Sequence, residues 1–462
     1  MTLDLESLLK DGTYAKALRE SQAPPFAMPR LAPEYSNWID EQKSWREAAC
    51  LYDQSHHMTD LTLRGSGVVE LLSGIAVNDF TNFPVNTAKQ LVAVNNDGFI
   101  IGDVIINRLA EDEYRTIGGP DISDWIHFHA ETRGEDVEVI RDDNSYVRQG
   151  DPEFYRYQIQ GPKALDIVRD LIGGEPPKLK FFHLGVLEIA GVRVRALRHG
   201  MAGEPGYELF GPWADGEKVK QAILSAGAAY GIRLVGGLAY LTNTIESGWI
   251  PRPVSALVGQ DPLEVEFRAW RLARTGGVFL PSLGGSHYSE DITDYFFTVY
   301  ELGYGRVVRF DHDFIGRAAL ERQVAAGEDK ARTKVTLIWD ADDLAQVFAS
   351  QFAHDGLAAK WPSLPIPLYS TFQFDKIVAH GKQIGRTGWT AYSANEGAML
   401  SLATIDSAYA APGTEVTVYW GEDPNSTKPT VERHKQVAVR AIVGPVPIGE
   451  SARERYRKDV AH

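Results

Sequence analysis

Cysteine is nearly absent, with Cys50 the only one in 462 residues. An internal disulfide framework and cysteine-based zinc sites are therefore excluded. Cys50 lies in the apolar stretch 48–51 and reads as a small buried hydrophobe rather than a nucleophile. Basic charge is also scarce: 47 Lys and Arg stand against 62 Asp and Glu, a net −15. That balance argues against a nucleic-acid partner, whose main affinity term is basic side chains on phosphates. No apolar run approaches the ~20 residues that span a bilayer, so no membrane partner is expected. Residues 1–10 set acids among leucines and lack the cationic start of a signal peptide, which leads us to expect a cytoplasmic protein. The histidines show no metal-ligand spacing. His127 and His129 are two apart on an expected helix and face different ways, so no metal is expected.

What the chain does have is glycine in a telling place. Residues 195–212 carry Gly200, Gly203 and Gly206 at three-residue intervals, with Glu204 between the last two. The run 187–196 reads as strand, and so does Tyr207–Phe210. A Gly-rich turn between strands lets backbone approach a flat ligand and aims a carboxylate at it. A carboxylate suits a partner with two parallel N–H donors, such as a pterin or guanine edge. The plainer reading of the same spacing is a hairpin turn with a solvated Glu204.

Farther along, two apolar runs flank Asn96-Asp97-Gly98, a strong hairpin signal. Asp103 is the one carboxylate in the second run. Burying it ionised costs several kcal/mol (order of magnitude) unless it is paired, so it is either an outward-facing edge residue or a site residue. Residues 38–52 follow helical spacing, with Ser36 or Asn37 as cap. A Pro-rich arm, 23–33, is laid over the body or across a partner subunit.

These stretches together resemble the aminomethyltransferase (glycine-cleavage T-protein) family. Gly200–Leu209 is similar to its Thr-Gly-Tyr-Thr-Gly-Glu-x-Gly-Tyr-Glu signature, with the first half drifted. The Asn95–Asp103 hairpin, Gln160-Gly161-Pro162, Glu246 with Gly248, and 313–320 match further motifs in order. The resemblance implies an α+β, multi-domain, folate-binding fold around a central cavity with a C-terminal β-barrel domain. We expect an arm at 1–36, a body of two interleaved α/β subdomains at 37–330, and a barrel domain at 331–462 with an acidic insertion near 340–367. It implies tetrahydrofolate as cofactor, held by Glu204, Asp103, Tyr207 and Asn95. A homodimer stays open.

Within the family, Tyr240-Leu241 stand where the aminomethyltransferases carry Arg-Asp. The segment Gln54-Ser55-His56-His57, Tyr240 and Trp249 are instead similar to the tetrahydrofolate-dependent aromatic O-demethylases. That branch implies a methoxylated aromatic acid as substrate, with syringate ranked first, then vanillate or 3-O-methylgallate. Tyr240, His57 and Asp103 are then the catalytic residues, and Gln54, His57, Trp249 and Arg115 hold the substrate. A phenol, with its ordinary pKa of about 10, is well matched to protonating a leaving phenoxide. The turn 117–120 lacks a basic residue for the substrate carboxylate, which falls to Arg115 or a distant arginine. Glycine-cleavage or sulfonium chemistry, or a non-catalytic folate-binding role, are the alternatives.

Overall fold

The structure, a computed structural model, describes residues 5–276, 279–353 and 356–456. A short helix is also expected around Leu3–Leu9, and Leu3 lies outside the described residues. Two sheets and a barrel organise the chain. A five-stranded antiparallel sheet runs in the order Thr87–Val94, Ile100–Arg108, Glu113–Gly118, Thr59–Arg64, Glu138–Asp142. Its first hairpin turns at Asn96-Asp97-Gly98, where the Asn95 carboxamide accepts from the N–H groups of Asp97 and Phe99. Helices Val68–Ile75, Pro120–Thr132 and Pro262–Thr275 bury their apolar stripes on one face, against Leu61, Leu91 and Ile106.

A six-stranded sheet runs Arg233–Leu234, Cys50–Asp53, Phe154–Gln160, Gly206–Pro212, Val192–Leu197, Leu184–Ile189. Helices Ala164–Ile172 and Trp213–Gly227 cover one of its faces. The expected strand 187–196 is in fact a hairpin, broken at Ala190 and Gly191, both at positive φ. The faces left uncovered by helices turn toward each other. Buried Arg156 of the six-stranded sheet reaches Glu208 on its own sheet and Asp60 on the other, the latter at 3.5 Å.

The closed barrel joins Arg332–Trp339, Ala398–Asp406, Lys382–Ser393, Lys376–Ala379, Glu415–Trp420 and Val437–Gly444. The acidic insertion contributes a helix, Ala341–Ala349, tied to the barrel by Arg440 pairing with Asp340 at 3.0 Å and Asp343 at 2.8 Å. The arm holds two helices, Leu5–Lys10 and Tyr14–Glu20, of which only the first was anticipated. It lies on its own chain: Ser282 Oγ donates to the Ala23 carbonyl at 2.7 Å and Gly237 N–H to that of Ala32 at 2.8 Å. Among the described residues no helix is long and apolar enough to cross a membrane.

Glu246, 1% exposed, fastens these parts together. One carboxylate oxygen accepts from Arg46 at 2.6 Å and Trp45 Nε1 at 3.2 Å, both on the Trp38–Glu47 helix. The other accepts from Ser393 Oγ at 2.8 Å and Asn395 Nδ2 at 3.0 Å, on the barrel. A buried carboxylate so fully satisfied is destabilising to remove, because its donors are left behind in low dielectric. Glu246→Ala should lower stability by about 3–5 kcal/mol, read as an earlier denaturant midpoint. A midpoint within error of the parent would show that the four contacts do not join barrel to body.

Candidate active site

A cavity of about 2110 Å³ opens between the two sheets, the arm and the barrel. Single small-ligand pockets run to roughly 300–1,000 Å³, so this one has room for two molecules. Its walls carry two separate groups of polar side chains.

The first group forms around Tyr240, which closes a one-turn helix, Gly237–Tyr240. That turn is pinned at its start, where the Gly236 N–H donates to buried Glu41 at 2.8 Å. The Tyr240 hydroxyl lies 3.3 Å from His57 Nε2 and 3.7 Å from Met201 Sδ. Gln54 Nε2 reaches the same sulfur at 3.0 Å. Tyr52 packs edge-on against the Tyr240 ring, and so does His57. Burial raises the Tyr240 pKa well beyond the usual phenol range, so the hydroxyl keeps its proton. Burial lowers His57 to about 4, so its ring is neutral at physiological pH. Among the described residues, His57 Nδ1 and Gln54 Oε1 have no hydrogen-bond partner. The cluster therefore offers a retained phenol proton, a neutral imidazole and an unsatisfied amide oxygen to whatever occupies the cavity.

The second group surrounds Asp103. Its strand is the second of five, so the edge-strand reading does not hold. Gln90 Nε2 donates to the carboxylate at 2.7 Å, and Tyr304 and Trp249 also hydrogen-bond to it. Trp249 Nε1 is 3.1 Å from the Tyr304 hydroxyl. Burial raises the Asp103 pKa, and these three donors restrain the rise. Trp249 thus belongs with Asp103 rather than with the Tyr240 group where sequence reasoning put it.

Four other expected site residues do not line the cavity. Glu204 is buried behind the loop, 3.6 Å from Arg46 Nε and bonded to Ser451 of the C-terminal helix Glu450–Glu454. The glycines beside it permit close packing, Gly203 on that helix and Gly206 on the neighbouring strand. A Cβ on Gly203 would sit 2.3 Å from that of Ala452, and one on Gly206 2.0 Å from the Ile159 carbonyl oxygen. Tyr207 faces the helix-covered side of its strand, its hydroxyl donating to the Pro177 carbonyl. Strand alternation then turns the next residue, Glu208, toward the cavity, where it pairs with Arg156. Asn95 is spent on its own turn and on Glu264, at 3.1 Å. Arg115 stacks over Phe154, 3.6 Å from the ring centroid, between the two sheets, where burial lowers it to about 10.

Gln90, Met201, Glu208 and Tyr304 were missed as site residues. Glu208 stood in the Gly-rich motif itself, and counting strand alternation from Gly206 would have found it. Gln90 lies diagonally across the hairpin from Asp103, whose register partner is Val92. Met201 and Tyr304 carry no local signal.

Residues 21–265 match the family model described as the GCVT N-terminal domain. The chain is 43% identical to a syringate O-demethylase of Sphingobium sp., over 99% of this chain and 98% of that one. The chain belongs to the GCVT family. Within it, a sesamin methylene transferase of Sinomonas sp. is 31% identical, covering 83% of this chain and 82% of the other. The glycine cleavage system aminomethyltransferase T of Bartonella henselae shares the GCVT fold, with a TM-score of 0.60 at 17% identity and 98% coverage of both chains.

Glu204 has a consequence for stability instead. Burial pushes its pKa up to about 7, with the charge of Glu246 adding to the rise while Ser451, Arg46 and Arg455 restrain it. From the ordinary 4.5 up to about 7, the folded chain holds a proton that the unfolded chain has lost. Stability from this group therefore falls as pH rises through that window. Glu204→Gln removes the slope, so its midpoint relative to the parent should climb between pH 4.5 and pH 7.5. A difference that stays constant across these pH values would mean that Glu204 titrates normally.

Proposed function

We propose that this protein transfers the O-methyl group of a methoxybenzoate to tetrahydrofolate, with syringate ranked first and vanillate or 3-O-methylgallate next. The observation that carries the reading is the Tyr240 hydroxyl, facing the cavity with its proton retained and His57 beside it. The syringate O-demethylase similarity along nearly the whole chain supports the same substrate class.

An aryl methyl ether resists cleavage because its leaving group is a phenoxide. Breaking the methyl C–O bond leaves negative charge on that oxygen, and the Tyr240 O–H is the group placed to hydrogen-bond to it and deliver the proton. His57, neutral, contacts the same hydroxyl and can relay a proton back to it, taking one at Nδ1 as it releases one from Nε2. The Gln54 amide, tethered to Met201, orients the ring oxygens. Bound tetrahydrofolate would supply the nitrogen that accepts the methyl. The residues present fit it: the cavity takes two molecules, and Asp103 accepts from N–H donors, as Gln90 shows. Asp103, Gln90, Trp249 and Tyr304 would hold the cofactor, opposite the Tyr240 group. Two ligands in one cavity give the alignment of nitrogen, methyl and oxygen that the transfer needs. A folate-dependent reaction of this kind fits a cytoplasmic enzyme.

Incubating the protein with tetrahydrofolate and a panel of methoxybenzoates should yield methyl-tetrahydrofolate and the corresponding phenol in equal amounts. Folate binding with no product from any member of the panel would sink the enzymatic reading. Tyr240→Phe keeps the ring and its packing and removes only the hydroxyl. Its kcat should fall about 10²–10⁴-fold with a much smaller change in substrate affinity, and substrates with more acidic leaving phenols should be hurt less. Parental kcat in this variant would move the proton-donor role elsewhere, with His57 next.

A further inference from the structure

Arg252 stands between Pro251 and Pro253, in the irregular stretch that follows Trp249. Proline fixes φ at both neighbours and disfavours helix at the residue before it, so this arginine is presented from a stiff, extended backbone. Its side chain lines the cavity, and its guanidinium carbon lies 4.3 Å above the ring of Phe26 from the arm. Phe26 in turn meets Tyr146 edge-on, and the Tyr146 hydroxyl donates to the arm's Ala27 carbonyl. The guanidinium thus has an aromatic floor held in place by the arm.

What it lacks is an anion. Among the described residues, no carboxylate lies within ion-pair distance of Arg252, and its buried Nε has no hydrogen-bond acceptor. Four other cavity arginines are already matched. Arg271 pairs with Asp121 and Asp124, each at 2.8 Å, while Arg141 pairs with Asp124 at 2.8 Å and Asp143 at 2.7 Å. Arg268 pairs with Glu6 at 2.7 Å, and Arg274 with Glu131 at 3.2 Å. Asp121 is the acid whose field most favours the Arg252 charge, and it is taken by Arg271. A buried cation left without an acceptor is costly in a protein interior, and this one, unlike Arg115, faces the cavity, where a ligand's anion can meet it. A guanidinium offers two parallel N–H donors to one carboxylate, and its stacking on Phe26 leaves that edge available.

We infer that Arg252 is the receptor for the carboxylate of the aromatic acid, the role that Arg115, stacked between the sheets, does not fill. The inference rests on the methoxybenzoate reading and deepens it. Arg252 and Phe26 hold the acid end and the ring, while Tyr240, His57 and Gln54 take the oxygens at the other end. The arm then belongs to the binding site, since it supplies the surface on which the guanidinium lies. Selection for a carboxylate at Arg252 distinguishes methoxybenzoates from neutral methoxyphenols of the same ring.

The test compares syringate with 2,6-dimethoxyphenol, the same ring without the carboxylate, by calorimetric binding to the full chain without folate. Arg252→Gln should weaken syringate about 10- to 150-fold, as expected for loss of a charge-assisted pair, and leave 2,6-dimethoxyphenol within about two-fold. Arg252→Lys, which keeps the charge and loses the fork, should fall between parent and Gln variant for syringate alone. Equal weakening of both ligands, or unchanged syringate binding, would overturn the assignment. Because binding is read without turnover, the two readings separate. A selective loss of syringate affinity upholds Arg252 even if the parent protein transfers no methyl, and that second result would remove only the demethylase reading.

Discussion

The carboxylate of Glu246 is the contact on which the rest of the site depends. It belongs to a five-residue helix, Asn243–Ser247, and follows a four-residue one, Gly237–Tyr240. Helices of that length have no stability of their own, since nucleation outweighs the few bonds they close. Four donors from the Trp38–Glu47 helix and the barrel converge on Glu246 and hold this stretch in one position. Tyr240 precedes it by six residues, Trp249 follows by three and Arg252 by six. One satisfied buried charge thereby places Tyr240, Trp249 and Arg252 relative to both sheets.

Burial then sets the chemistry in a single direction. It raises Tyr240, lowers His57 and raises Asp103, in each case favouring the uncharged form. The Tyr240 group is consequently built from neutral donors and acceptors. Such groups act on charge that appears during a reaction without competing for it beforehand, which suits cleavage of a neutral ether to a phenoxide. Arg252 is the contrast, a guanidinium that faces the same cavity from its seat on Phe26.

The Gly-rich loop shows how a motif can be present and its residues reassigned. Gly203 and Gly206 are small because Ala452 and the Ile159 carbonyl press against them, so the loop carries the C-terminal helix. Glu204 follows that packing to the outside of the cavity wall, and the pairing of Arg156 with Glu208 and Asp60 closes the wall from the inside. The loop still reaches the cavity, through Gly200 and Met201.

Local pattern was enough for much of the architecture. The Asn-Asp-Gly hairpin and the helix at Trp38–Glu47 follow from turn chemistry and periodicity, which act between residues close in sequence, though the helical spacing read on to residue 52 gives way to the strand Cys50–Asp53. Family resemblance singled out Tyr240, His57 and Gln54, while Asp103 stood out as the one carboxylate in its apolar run. The sequence could not tell which face of a strand meets the cavity, so Tyr207 was taken for Glu208. Nor could it tell which arginine faces the cavity: Arg115 and Arg252 look alike in a sequence. Only the tertiary structure sets one against Phe154 between two sheets and the other on Phe26 in the cavity wall. The physical reason is that an arginine's role depends on what lies within a few ångströms of its guanidinium, and those neighbours come from segments far apart in the chain.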